Sequence, residues 1–197
     1  MLDRVLITGA HGTGKTTLAN ALLAHFAANG DGTSRHWTLI EETARKLLLS
    51  GEWTQEDFPR LEWEETLLAE QLKLEKAAVL PYIADRCLLD PLAYTALHHP
   101  PPVWRSMLAS SALQPSLSAY RQRQKTLIVH LLPVAEFWQD DGVRPSVATM
   151  DEWWRLTRLF EEVLKEAGVE WVELGEETVD LRERVDQVVG WMRERES

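Results

Sequence analysis

The chain has 197 residues, 45% of them hydrophobic and 26% charged, with a formal net charge of −10. That balance suits one globular unit with a substantial core and excludes a broad basic face for nucleic acid. No apolar run approaches membrane-spanning length, and the lone Cys87 precludes an intramolecular disulfide, as suits a reducing cytosol. Met1 leads through Leu2-Asp3-Arg4 straight into a strand without a signal-peptide pattern, so the expected location is cytoplasmic.

Val5-Leu6-Ile7-Thr8 reads as a buried parallel strand. Directly after it comes Gly9-Ala10-His11-Gly12-Thr13-Gly14-Lys15-Thr16, a G-x-x-x-x-G-K-T phosphate-binding loop. Its glycines let the backbone curl with N–H groups turned inward, and the following helix adds its N-terminal donors. Lys15 reaches β- and γ-phosphates, and the Thr16 hydroxyl suits Mg²⁺. Residues Gly9 to Thr16, together with Thr17, form the expected ATP-binding stretch. His11 is read as following the backbone.

A helix over residues 14–28 follows, then a break at Asn29-Gly30-Asp31-Gly32. His36 to Ile40 reads as the second strand, ending at Glu41-Glu42. A helix over residues 43–49 stops near Gly51, and Thr54 suits a cap. Pro59 suits the first position of a long helix reaching residue 77. Leu61, Leu68 and Leu72 mark its inner face, while Glu62, Glu64, Glu65, Glu70 and Lys73 fill the rest. The third strand covers residues 79–84 and ends in Asp85-Arg86. A helix from Leu88 to His98 is broken by prolines, with helical pieces continuing to residue 125. Thr126 to Leu131 is the fourth strand. A polar loop over residues 133–147 is the expected lid. Met150 to Ala167 is an amphipathic helix closed by Gly168, residues 169–174 form the fifth strand, and residues 178–195 form a last helix. This alternation predicts a three-layer α/β domain, 1–197, with a parallel sheet covered on both faces.

In such a sheet, ligands sit beyond the carboxyl ends of the strands. The second strand delivers Glu42 and, one turn on, Arg45. The third delivers Asp85, the best acid to share Mg²⁺ with Thr16, and Arg86. Arg86, Asp90 and Tyr94 share one helix face, either as a salt bridge or turned into the site. Arg144, in the lid, can bring a cation to the transferring phosphoryl. The catalytic set is thus Lys15, Glu42, Asp85, Arg86 and Arg144, with Glu42 as general base or acceptor anchor. Glu42, Arg45, Asp90 and Tyr94 form the substrate set. Trp53, Phe58 and Trp63 fit either core packing or a stack on a flat ring. Arg121, Arg123 and Lys125 read as a solvated helix end. The acceptor pocket is expected from residues 43–78 and 88–124.

Glu42-Thr43-Ala44-Arg45, Asp85-Arg86-x-x-x-Asp90 with Tyr94, and Asp141-Gly142-Val143-Arg144 occur in that order after the loop. Together they resemble the small P-loop ATPase/kinase family that includes the ribosylnicotinamide kinase domain of NadR-type proteins. Deoxynucleoside kinases are similar more distantly. The resemblance implies strand order 2-3-1-4-5, ATP with Mg²⁺ and a nucleoside-like acceptor. Cys87 stands where deoxynucleoside kinases carry a serine, which removes a hydroxyl from that position. Three functions remain open: a small-molecule kinase, a nucleotide-switch protein, and an ATPase acting on another protein. The sequence carries neither N-K-x-D nor D-x-x-G after the third strand, which favours adenine over guanine. It leaves the oligomeric state undefined.

Overall fold

The structure is a computed structural model that describes residues 1–29, 35–137, 149–175 and 177–196. Five parallel strands form one sheet in the order β2-β3-β1-β4-β5, as expected. They are β1 (Arg4–Thr8), β2 (Thr38–Ile40), β3 (Tyr82–Asp85), β4 (Thr126–Leu131) and β5 (Val172–Leu174). The helices are α1 (Lys15–Asn29), α2 (Thr43–Ser50), α3 (Leu61–Ala77), α4 (Leu89–His98), α5 (Pro101–Leu108), α6 (Gln114–Tyr120), α7 (Met150–Ala167) and α8 (Leu181–Glu196).

The central strand explains the architecture. β1 pairs with β3 on one side, Ile7 opposite Asp85, and with β4 on the other, Thr8 opposite His130. Its side chains alternate between two cores. Val5 and Ile7 pack with Leu18, Leu22 and Val188 of α1 and α8. Leu6 packs with Leu92, Leu117 and Phe160 of α4, α6 and α7. Burial on both faces is why β1 and β4 read as unbroken apolar runs rather than alternating ones.

Several boundaries differ from the sequence reading. β3 begins at Tyr82, not at residue 79, because Pro81 has no N–H for the ladder, whose first bond here runs from Tyr82 N to Asp3 O. β2 begins at Thr38. Trp37 instead stacks on Phe26, ring centroids 5.0 Å apart. α3 begins at Leu61 with Arg60 as its extended cap, so Pro59 lies outside it. A short 3-10 turn, Gln55–Asp57, closed by reciprocal Thr54 and Asp57 bonds, takes up the chain before it. α8 begins at Leu181, because the Asp180 carboxylate accepts from the N–H groups of Arg182 and Glu183. α7 matches its expected span, with Thr149 capping Glu152 N and Gly168 left-handed at φ 66°.

The face of α3 needs a larger correction. Its buried stripe is Trp63, Glu64, Leu67, Leu68, Gln71 and Glu75, so three polar side chains lie inside and Glu64 is not on the solvent face. No helix of the described residues is long and apolar enough to cross a membrane.

Candidate active site

The phosphate-binding loop joins β1 to α1. Gly9 has φ +134°, and a Cβ there would stand 2.6 Å from the Leu131 carbonyl oxygen, so only glycine fits. The loop is braced from three sides. Tyr94 Oη of α4 accepts from His11 N at 3.2 Å, and Trp153 Nε1 of α7 donates to His11 O at 2.9 Å. Arg184 Nη1 of α8 donates to Thr13 O at 3.1 Å. Two helices thus grip the loop through the His11 backbone, and the ring Nδ1 also stands 3.2 Å from Tyr94 Oη. Lys15 is buried, and its Nζ lies across the loop, 2.5 Å from Ala10 O. Of the remaining expected loop residues, Gly12 and Gly14 also take positive φ, at 76° and 86°, and Thr16 and Thr17 open α1.

Thr16 and Asp85 meet as the sequence predicts. Thr16 Oγ1 donates to Asp85 Oδ2 at 2.5 Å. Asp85 Oδ1 is buried and has no hydrogen-bond partner among the described residues. Burial pushes the Asp85 carboxyl up, while the Thr16 hydrogen bond and the charges of Lys15 and Arg86 oppose the rise. A hydroxyl beside a carboxylate with one oxygen unused is a donor set suited to a hard divalent cation, so Thr16 and Asp85 fit Mg²⁺.

The next residue turns the other way. Arg86 is the only non-glycine at positive φ among the described residues, at 84°. Three bonds hold it and its neighbour there: Arg86 N to Ile7 O at 2.9 Å, Gln71 Nε2 to Arg86 O at 3.2 Å, and Cys87 N to Asp90 Oδ2 at 2.9 Å. Its guanidinium, 8% exposed as a residue, donates to Glu42 Oε1 at 2.7 Å and Asp90 Oδ1 at 3.0 Å, and lies over the Tyr94 ring. Asp90 also accepts from Thr8 Oγ1 at 2.8 Å, which ties α4 to the end of β1. Both readings of this face therefore hold: a salt bridge, and one turned into the site. Arg45 stays half-exposed, its Nε 3.7 Å from Glu42 Oε2.

A cavity of about 460 Å³ opens beside Arg86, between α3, α4 and α7. Phe58, Trp63, Leu67, Leu97 and Leu156 give it apolar walls. Phe58 and Trp63 stack with centroids 5.3 Å apart. Arg86, Asp90 and Tyr94 line it, whereas Glu42 and Arg45 stand behind Arg86. The cavity thus uses both expected helical segments, at Thr43 and Gln71 of the first and Tyr94 and His98 of the second.

Sequence reasoning missed the layer beneath. Gln71 accepts from Thr43 Oγ1 at 2.7 Å and donates to Glu75 Oε1 at 3.0 Å. Glu75 accepts from Tyr120 Oη at 2.6 Å and from Tyr82 Oη at 3.3 Å. Burial raises the Glu75 carboxyl to about 7, although its hydrogen bonds from Tyr120, Gln71 and Tyr82 pull it down. The spacing of Glu64, Gln71 and Glu75, which puts them on one helical stripe, was the available signal. Arg184 of α8 carried no such signal, since only the fold brings it to the loop. Arg144, with residues 138–148 of the expected lid, lies outside the described residues. Arg121, Arg123 and Lys125 bond to Ala167 O, Glu170 and Asp3, away from the cavity, as a helix end should.

Comparison with known proteins agrees with this fold. The profile of one family, described as an AAA domain, matches residues 4–184. No curated protein matches significantly. Among solved structures, the deoxyadenosine kinase of M. mycoides with bound dCTP superposes with TM-score 0.64 at 12% identity, covering 97% of this chain and 99% of that one. A NadR protein in complex with NR gives 0.63 at 20% identity; 98% of this chain is covered but only 51% of that one. Shikimate kinase from Acinetobacter baumannii in complex with shikimate gives 0.56 at 13%, covering 98% of this chain and 94% of that one. At these identities the likeness establishes the P-loop kinase fold.

Proposed function

The chain belongs to this AAA domain family, and we propose that it is an ATP-dependent small-molecule kinase with a nucleoside-like acceptor. One observation carries the reading: consecutive residues serve two sites. Asp85 faces Thr16 at the phosphate-binding loop, while Arg86, at positive φ, faces a cavity of about 460 Å³. Donor and acceptor halves thus share a single turn of chain, as in-line transfer between two bound molecules requires. A plain nucleotide hydrolase has no use for the second, aromatic-walled cavity.

In this reading the loop N–H groups and Lys15 hold the β- and γ-phosphates. Thr16 and Asp85 would hold Mg²⁺, which would neutralise charge on the phosphate oxygens. The acceptor hydroxyl enters from the cavity side. Its oxygen forms a bond to the γ-phosphorus as the bond to the bridging oxygen breaks, and ADP leaves. Arg86, fixed between Glu42 and Asp90, opposes the charge developing on the transferred oxygens. The hydroxyl proton passes to a carboxylate paired with Arg86, either Glu42 behind it or Asp90, which lines the cavity, and Arg45 supports Glu42 from the outer side. Phe58 and Trp63 offer a face to a flat ring.

The test is ADP release from ATP and Mg²⁺, with and without a panel of nucleosides. Acceptor-dependent release with a phosphorylated product is the expected result. ADP release that is identical with and without every acceptor would favour hydrolysis and sink the kinase reading.

A further inference from the structure

One buried group in the cavity is left out of this scheme. Glu64 is 2% exposed, and its Oε2 has no hydrogen-bond partner among the described residues. It lies on the same stripe of α3 as Gln71 and Glu75, whose polar atoms are met by Thr43, Tyr82, Tyr120 and the Arg86 carbonyl. That amide and that acid are structural. Glu64 lines the cavity with its Oε2 unmet, next to Trp63 and Leu67. A buried polar atom without a partner is costly, and native proteins seldom retain one unless something else completes it.

The local charge balance says what would complete it. Arg86 is shared by Glu42 and Asp90, and Arg45 also leans on Glu42. Two guanidinium groups thus meet two carboxylates, and Glu64 is the acid left over. At the rim, Glu152 and Arg155 are exposed and of opposite sign. Burial pushes the Glu64 carboxyl well up, Arg86 works against this, and Asp90 adds to it. A hydrogen-bond donor or a positive charge brought into the cavity offsets that cost. An anion there would push the Glu64 carboxyl up further and would stand beside Asp90.

We infer that Glu64 is the acceptor-binding residue of this cavity: it takes an O–H or N–H donor from an uncharged or cationic small molecule and selects against acceptors that already carry phosphate or carboxylate. The inference rests on the kinase reading only for the cavity's role as acceptor pocket, and binding tests it separately from turnover. Full-length protein is saturated with AMP-PNP to fill the donor site. Binding of deoxycytidine, adenosine, ribosylnicotinamide, their 5′-monophosphates and shikimate is then followed by tryptophan fluorescence. At least one nucleoside is expected to bind about tenfold or more tighter than its monophosphate and than shikimate. Glu64→Gln should weaken that nucleoside by about tenfold, leave AMP-PNP affinity within about twofold, and narrow the preference over the monophosphate. Glu64→Asp, which keeps the acid, should fall between. Melting curves of both variants confirm folding; the bonds of Gln71 and Glu75 are untouched by either change.

Equal wild-type affinity for nucleoside and monophosphate overturns the inference. So does failure of every nucleoside to bind, or unchanged nucleoside affinity in Glu64→Gln. Binding that depends on Glu64 without phosphoryl transfer leaves the inference standing and removes the kinase reading. Transfer that ignores Glu64 does the reverse.

Discussion

At the scale of single residues, proximity across the sheet turns scattered side chains into a site. Thr16 and Asp85 are 69 positions apart and 2.5 Å from each other. Glu42 and Arg86 are 44 apart and 2.7 Å from each other. Lys15→Ala should abolish ATP-dependent turnover, because the loop then lacks its cation for the β- and γ-phosphates; full activity in that variant would remove the loop from the mechanism. Glu42→Gln should lower turnover by about 10²–10⁴ while AMP-PNP affinity is kept, the range for a positioned general base. A loss of only a few-fold would leave Glu42 as a holder of Arg86. The positions of Glu42, Asp85 and Arg86 were legible because each stands at or just past the end of a strand, and those of Lys15 and Thr16 because a motif marks them. Glu64, Gln71 and Glu75 were not legible. They sit mid-helix in a segment rich in acids, and nothing local says which face another helix will cover.

At the scale of elements, α7 acts as a brace. Trp153 lies 142 positions from His11, yet its Nε1 donates to the loop at 2.9 Å. Trp153→Phe keeps a ring in the core and deletes that bond. One such bond is worth about 1 kcal/mol net, so AMP-PNP affinity should fall about fivefold. Calorimetric titration showing unchanged affinity would mean that α7 packs beside the loop without holding it. The elements best read from sequence, β1, β4 and α7, are long or strongly patterned. Those misjudged at an end, β2, β3 and α3, depend on Trp37, Pro81 and the Thr54–Asp57 turn, where one side chain or one missing donor decides where pairing starts.

At the scale of the whole molecule, buried titratable groups link the two cores to pH. Glu75 is raised from 4.5 to about 7 by burial, so its contribution to stability is complete below about 4.5 and is lost as pH rises through about 7. His130 moves the other way. Burial, aided by Lys15, lowers it from 6.5 to about 4, so its contribution is present above about 6.5 and lost as pH falls through about 4. Each shift corresponds to roughly 3 kcal/mol, and the two slopes oppose each other over much of the same window. Because Glu64 and Asp85 are raised and His98 is lowered as well, the reading is the difference between wild type and Glu75→Gln in denaturant unfolding from about pH 4.5 to 7.5. Relative to the wild type, Glu75→Gln should lose less stability as pH rises, since one raised acid is gone. Parallel curves for wild type and variant would mean that Glu75 keeps its ordinary ionisation.

The sequence by itself determined the P-loop, the parallel alternation of strands and helices, and the acid and arginine that follow β3. These are local facts, since a motif, a run of buried residues and the end of a strand are all written in consecutive positions. Only the tertiary structure decided that α3 turns Glu64, Gln71 and Glu75 inward, that Arg184 and Trp153 reach the loop, and that Arg86 is shared by two acids beside a cavity. Those outcomes depend on which helices cover which faces, and the spacing within one segment shows which residues share a face but not which face is covered.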